Sequence, residues 1–219
     1  MSNNPNTYNE IVSLCADNIL KQPHTPLLVA VTGESGSGKS YFTKMLEVEF
    51  TKRQVEYSFL NHDDFLIPRA EREALRLNIY QDGAFEGKSE WEILENWYNL
   101  DDFHEVLEKL KHGKVASYYP YVHNSGKISD QAKTIEPKRI VLLENKLFLD
   151  EMDFVIELRV NRQNIIKRKI ERDSDVRTPE QTIEMHKKAQ GYYWDRKKPT
   201  NAHIVIDNDD FQNPKIIEG

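Results

Sequence analysis

Leu27-Leu28-Val29-Ala30-Val31-Thr32-Gly33-Glu34-Ser35-Gly36-Ser37-Gly38-Lys39-Ser40 is the stretch that decides the architecture of this chain. Its opening apolar run has the length and continuity of a strand buried on both faces, as in the middle of a parallel sheet. The eight residues that follow match G-x-x-x-x-G-K-[ST], and a helical pattern resumes from Lys39 to Lys52. Strand, glycine-rich turn and helix form the context in which that pattern has a mechanism. Glycines let the backbone curl so that successive N–H groups face inward onto phosphate oxygens, and the helix adds its positive N-terminal end. Gly33, Glu34, Ser35, Gly36, Ser37, Gly38, Lys39 and Ser40 therefore form a predicted phosphate cradle. Lys39 is placed to reach the β- and γ-phosphates, and the Ser40 hydroxyl to ligate Mg²⁺.

Outward from the cradle, three more apolar runs have the same character: Arg139 to Glu144, Phe154 to Val160 and His203 to Asp207. Val55 to Leu60 is a more mixed strand candidate. Helical patterns separate several of them, at Leu100 to Lys111, Asn161 to Arg172 and Pro179 to Tyr192. Ahead of the first strand, Tyr8, Ile11, Val12, Cys15, Ile19 and Leu20 recur at helical spacing behind a Thr7 cap with Glu10 three positions on. Strands alternating with helices predict an α/β domain on a mostly parallel sheet. The whole chain, 1–219, reads as one such domain. Residues 69–121 read as a helical insertion on the substrate side, about 161–178 as a lid, and 1–6 and 208–219 as fraying ends.

With 219 residues, 38% hydrophobic and 30% charged, the chain is sized for a single solvated globular domain. A formal net charge of −6 provides no general basic field for a polyanion, which disfavours nucleic acid as a partner. No apolar run approaches membrane-spanning length and the N-terminus has no signal-peptide pattern, so no membrane partner is expected. The single cysteine, Cys15, has no intrachain partner, which fits a reducing compartment with the cytoplasm as default.

A cradle alone does not separate kinases, GTPases and mechanical ATPases. Asn61-His62-Asp63-Asp64-Phe65 follows the second strand candidate and sets carboxylates at the C-terminal edge of the sheet, where open α/β domains place ligands. Asp63 is the candidate general base for an attacking hydroxyl, or the group that fixes a water on Mg²⁺. The competing reading is a turn or helix-capping aspartate, a role that suits Asp64. Glu144 ends a buried run, where a second acid of the Mg²⁺ shell belongs, although a strand-ending glutamate is equally plain surface. Arg168 and Arg172 lie four apart on one helix face, with Ile166 and Ile170 roughly opposite. They can close over a transferring phosphoryl group, or, with Lys167, Lys169 and Arg177, form a solvated basic face. Tyr118-Tyr119-Pro120-Tyr121-Val122-His123 offers ring faces and an imidazole for a ring-bearing substrate, or a set of core aromatics beside an exposed histidine.

Taken together, these residues resemble the uridine kinase and phosphoribulokinase family of P-loop kinases, most closely its uridine-cytidine kinase branch. The likeness runs from Leu27 to Asp207. It rests on the cradle, on Asp63-Asp64-Phe65, on Tyr118 to His123, and on Thr134-Ile135-Glu136-Pro137 leading into Val141 to Glu144. It continues through Arg168-Lys169-Ile170-Glu171-Arg172-Asp173 to Pro199-Thr200 and Ile204-Val205-Ile206. The resemblance implies a three-layer domain of the P-loop NTPase type with a mostly parallel, five-stranded sheet and a helical lid, ATP or GTP as donor, and Mg²⁺. It implies Asp63 as base, Glu144 as metal-shell acid, Arg168, Arg172 and Arg177 as phosphate contacts, and Tyr118 and His123 at a nucleoside base. Asp82 matches the family's ribose-holding aspartate after a shift, and Asn145 stands where the family usually has glycine.

The expected activity is transfer of a nucleotide's γ-phosphate to a small-molecule hydroxyl, with the 5'-hydroxyl of uridine or cytidine leading. Nicotinamide riboside, pantothenate, glycerate or a sugar phosphate is the same-fold alternative, and a non-catalytic ATP-binding regulator the different-class one. A homo-oligomer is left open.

Overall fold

The computed structural model describes residues 7–80, 95–199 and 201–219. In chain order, α1 (Tyr8–Leu20), β1 (Leu27–Gly33), α2 (Lys39–Lys52) and β2 (Tyr57–Asn61) lead to a 3-10 turn at His62–Phe65 and to α3 (Arg69–Tyr80). Next come α4 (Leu100–Lys111), β3 (Ala116–Tyr118), β4 (Tyr121–Val122), β5 (Lys127–Ile128), β6 (Lys133–Ile135), β7 (Ile140–Glu144) and β8 (Phe154–Arg159). The chain continues through α5 (Arg162–Arg172), α6 (Pro179–Met185), a π-helical turn at His186–Gln190, α7 (Gly191–Lys197), β9 (Ile204–Asp207) and β10 (Lys215–Glu218).

The central sheet has the order β10-β9-β8-β1-β7-β2. Its five strands β9, β8, β1, β7 and β2 run parallel, as predicted. The sixth corrects the reading of residues 208–219 as a fraying end, because β10 turns back antiparallel along β9. Ile216 and Ile217 are too short an apolar stretch to announce a strand, and pairing with β9 supplies the backbone partners.

Every residue of β1 is buried, and its alternation sorts the core into two layers. Leu27, Val29 and Val31 pack beneath α1 and α2 with Ile11, Cys15, Phe42, Leu46 and Phe50. Leu28 and Ala30 pack on the other face with Phe65, Phe103, Leu107 and Leu110. The entry of α1 is fixed by the reciprocal Thr7 and Glu10 capping box that the sequence pattern predicts. At about 1.5–3 kcal/mol per fully buried large apolar side chain, these two layers hold the strand ends rigid. Among the described residues no helix is long and apolar enough to cross a membrane.

Register decides where the chemistry gathers. Glu144 is the partner of Val31 on β1 and of Asn61 on β2. The turns leaving β1, β2 and β7 therefore open level with one another at the C-terminal edge of the sheet, as the parallel topology requires.

Candidate active site

The turn after β1 has the conformation its glycines permit. Gly33, Gly36 and Gly38 have φ of 145°, 94° and 98°. A Cβ at Gly33 would lie 2.5 Å from Ser37 Oγ and 2.6 Å from the Leu158 carbonyl, and one at Gly38 would lie 2.7 Å from Asn208 Nδ2. The buried Asn208 donates to the Ser37 carbonyl (2.7 Å), which pins the turn to the end of β9. Lys39 is folded into the turn, its Nζ donating to the carbonyls of Gly33 (2.9 Å) and Glu34 (3.2 Å). Burial, reinforced by Lys146, lowers its ammonium to about 8.

Asp63 sits in the 3-10 turn after β2, its own N–H capped by Asn61 Oδ1 (2.9 Å). Tyr98 Oη donates to Asp63 Oδ1 at 3.2 Å, and His62 Nε2 lies 3.0 Å from the same oxygen. His62 is buried, with Nδ1 2.8 Å from the Glu144 carbonyl, so the ring bridges the ends of β2 and β7. Burial alone would raise the Asp63 carboxyl, but His62, Lys146 and Lys39 together hold it well below the usual carboxylate range. Asp63 is thus an ionised acceptor facing the cradle. Asp64 has the other role: its Oδ2 accepts from Tyr118 Oη and Lys133 Nζ, both at 2.8 Å, tying the turn to β3 and β6.

Glu144 is buried, and its Oε1 accepts from Ser40 Oγ at 2.8 Å. A hydroxyl and a carboxylate oxygen meeting beside the phosphate turn are hard donors of the type Mg²⁺ takes, so these residues fit that ion. The departure at Asn145 has a local reason. Its buried side chain accepts from the Leu147 N–H (2.7 Å) and donates to the Leu147 carbonyl, a tight turn that carries Lys146 to the cavity wall.

One cavity above the cradle is walled by Gly36, Gly38, Lys39, Ser40, His62, Asp63, Glu144, Lys146, Arg168 and Arg172. The sequence-predicted cradle, base, metal-shell acid and lid arginines therefore share a single space. Arg168 reaches back to the carbonyls of Asn208 (2.7 Å), Asp209 (3.1 Å) and Gly36 (3.4 Å). Arg172 pairs with Asp173 (2.6 Å) and reaches Ser35 Oγ (3.4 Å). Beside the cradle, the exposed rings of Tyr41 and Phe211 lie 4.8 Å apart, with Arg168 5.8 Å over Phe211.

Lys169 corrects the picture of a solvated basic face. It is fully buried, and its Nζ donates to Gln190 Oε1 (2.6 Å) while lying 3.1 Å from His186 Nδ1 and 3.4 Å from Glu34 Oε1. Ile165 and Lys169 form the packed face of α5, whereas Ile166 and Ile170 are only half-buried. Burial lowers the Lys169 ammonium to about 8 against the pull of Glu34.

A second chamber adjoins the first across Ser35, Asp63 and Lys146, and is walled by Arg72, Trp97, Tyr98, Tyr193 and Trp194. Tyr118 and His123 are outside it: Tyr118 is buried, stacked on Phe65 with ring centroids 4.7 Å apart, and His123 is exposed on a turn. Arg177 lines a third space beyond Arg72 and Trp97. Asp82, like Trp91 of the insertion, lies outside the described residues. Sequence reasoning missed His62 and Lys146, which adjoin residues it did single out, and Arg72, Tyr98 and Lys169, which no local pattern marks.

Comparison with known proteins agrees with this geometry. A family model described as "Phosphoribulokinase / Uridine kinase family" matches residues 28–207. The uridine kinase of Latilactobacillus sakei subsp. sakei (strain 23K) is 24% identical over 163 residues, covering 71% of each chain. Among solved structures, D-glycerate 3-kinase from Cryptococcus neoformans var. grubii superposes with a TM-score of 0.62 at 12% identity, covering 96% of this chain and 97% of that one. A possible uridine kinase from Bacillus stearothermophilus superposes at 0.61 and 18% identity, covering 89% and 96%. Likeness at these identities extends to the fold, and the residues that the family model matches include the cradle, Asp63, Glu144 and α5. The chain belongs to the phosphoribulokinase and uridine kinase family of P-loop kinases.

Proposed function

We propose that this chain transfers the γ-phosphate of ATP, or of GTP, to a hydroxyl of a small molecule seated in the aromatic chamber beside Asp63. The observation that carries the reading is the position of Asp63, which walls both the cradle cavity and that chamber. An acceptor hydroxyl between them meets the carboxylate on one side and the donor phosphate on the other. Both structural contacts of Asp63 fall on Oδ1, and we assign Oδ2 to the acceptor proton.

In the proposed reaction the acceptor oxygen forms its bond to the γ-phosphorus as the bond to the bridging oxygen breaks. The proton passes to Asp63 and the nucleoside diphosphate leaves. Cradle amides and Lys39 hold the phosphates, while Lys146, Arg168 and Arg172 face the charge that develops on the transferring group. Ser40 and Glu144 would hold Mg²⁺, which when bound neutralises the phosphate oxygens. The buried Lys169 and Glu34 pair holds α5 against the cradle turn, and a lid closing from there would keep water from competing with the acceptor. On this reading residues 1–219 are one kinase domain, with 69–121 as the acceptor-side insertion and 161–178 as the lid. The buried, unpartnered Cys15 fits a reducing cytoplasm.

A nucleoside acceptor is supported by the name of the uridine kinase relative and by the ring faces of Trp97, Tyr98 and Trp194 in the chamber wall. It draws no support from Tyr118 and His123, which face elsewhere. The test is release of ADP with a panel of nucleosides, hydroxy acids and sugar phosphates, by wild type and Asp63→Asn. Asp63→Asn should lose about 10²–10⁴-fold in turnover while binding ATP within threefold of wild type. Unchanged turnover in the variant removes Asp63 from the chemistry, and ATP binding with no acceptor-stimulated turnover in wild type favours a regulator.

A further inference from the structure

The far end of the acceptor chamber is charged in a way that a neutral substrate does not need. Arg72 and Trp97 wall both the chamber beside Asp63 and the space beyond it, where Arg69 and Arg177 join them. Among the described residues the half-buried Arg72 guanidinium donates only to neutral groups, the Ile67 carbonyl (3.0 Å) and Tyr121 Oη, and lies 4.6 Å over the Tyr121 ring. Arg69 donates to the His123 carbonyl (2.5 Å). Among the described residues neither has a carboxylate within 4 Å, whereas Arg177 is held by Asp173 at 2.7 Å. The exposed Glu73 is the one acid lining this space among the described residues. With Arg177 offset by Asp173, Arg69 and Arg72 face Glu73 alone among the described residues, an excess of one positive charge.

Two polar atoms of residues in the same walls are buried without partners. Trp97 Nε1 and Tyr193 Oη have no hydrogen-bond partner among the described residues, although Tyr193 is almost wholly buried. An indole N–H can only donate, and a buried donor without a partner costs about 1–3 kcal/mol. An oxygen-rich anion seated beside Arg72 would offset the charge.

We propose that the phosphate acceptor is itself an anion: a hydroxyl compound whose carboxylate or phosphate monoester is held by Arg72, with Arg69 and Arg177 around it, while its hydroxyl lies at Asp63. Planar, bidentate donation suits arginine to either oxyanion. The flanking rings of Trp97 and Trp194 accommodate an apolar or ring-bearing middle. The inference rests on reading this chamber as the acceptor site.

The test measures binding apart from catalysis. With the cradle saturated by Mg²⁺ and ADP, so that it cannot itself take the probe, phenyl phosphate, benzoate and benzyl alcohol are titrated against tryptophan fluorescence and thermal unfolding. Wild type, Arg72→Gln and Arg177→Gln are compared, the second variant keeping the test open should the first not fold. The expected result is binding of at least one charged probe, weakened about tenfold or more by Arg72→Gln and less by the Asp173-paired Arg177→Gln. Preference for phenyl phosphate or benzoate then identifies the oxyanion. Charged probes that fail to bind, that bind no better than benzyl alcohol, or that bind the folded variants as tightly as wild type overturn the inference. Turnover of Asp63→Asn tests the kinase reading and probe affinity tests this one, so either can fail alone.

Discussion

Lys39 should impose a pH limit on nucleotide binding. Burial, with Lys146 nearby, places its ammonium at about 8, against ~10.4 for a free lysine. The direction follows: the charged form that phosphates recognise is present below 8 and is lost as pH rises above it. Phosphate oxygens favour the charged lysine, so a complex that restores ~10.4 must take up a proton on forming. In the free protein the charged fraction falls from about three quarters at pH 7.5 to about 3% at pH 9.5, which weakens binding roughly twentyfold, or about 1.8 kcal/mol. Calorimetric titration with a non-hydrolysable ATP analogue, in two buffers of different ionisation enthalpy, reads both the dissociation constant and the proton count. Uptake should be about half a proton near pH 8 and approach one near pH 9. Lys169 is also lowered to about 8, so the variants assign the effect. Lys39→Met should flatten the profile and Lys169→Met should keep it. A flat profile in wild type, or a wild-type slope in Lys39→Met, refutes the reasoning.

Two more expectations concern the cradle and the metal. Glu144→Gln should raise the Mg²⁺ concentration for half-maximal turnover about 10- to 100-fold, because the Ser40 partner loses the charge beside it; an unaltered Mg²⁺ requirement places Glu144 outside the metal shell. Gly38→Ala forces a side chain onto a φ of 98° with Asn208 Nδ2 at 2.7 Å, and should cost about 1–3 kcal/mol in urea unfolding while displacing the Asn208 bond to Ser37. Unfolding and nucleotide affinity both equal to wild type would show that the turn tolerates another shape.

The parallel core was legible because each central strand is an apolar run of strand length ending in a chemically informative residue. Gly33, Asp63 and Glu144 stand at or just after such ends, so strand recognition placed them together before any coordinate did. The helix α5 was legible as a helix but not by face. Lys169 looks like a member of a basic stripe, and only Glu34, 135 residues away, and the π turn carrying His186 and Gln190 explain its burial. Tyr118 and His123 had two readings, a binding surface or core aromatics beside an exposed histidine, and the packing follows the second because Asp64 and Phe65 draw Tyr118 into the core. Arg72 and Trp97 meet through tertiary packing across the insertion, a juxtaposition that no local periodicity encodes.

Charge is distributed so that anion binding is local. The chain carries a net −6, yet among the described residues Lys39, Lys146, Arg168 and Arg172 face only Asp63 and Glu144 in the cradle cavity, four cations against two carboxylates. Asp173 offsets part of Arg172 from outside, and Arg168, although bonded to neutral carbonyls, is partly offset by the Asp209 carboxylate. A field confined to a walled cavity attracts a polyphosphate without making the surface attractive to nucleic acid. The same logic extends along the chamber to Arg72: cations at both ends and Asp63 between them would leave a two-anion assembly, donor and acceptor, with its single proton acceptor at the junction. That arrangement is what transfer between two negatively charged partners requires, since their mutual repulsion must be offset on both sides before the reacting oxygen can approach phosphorus.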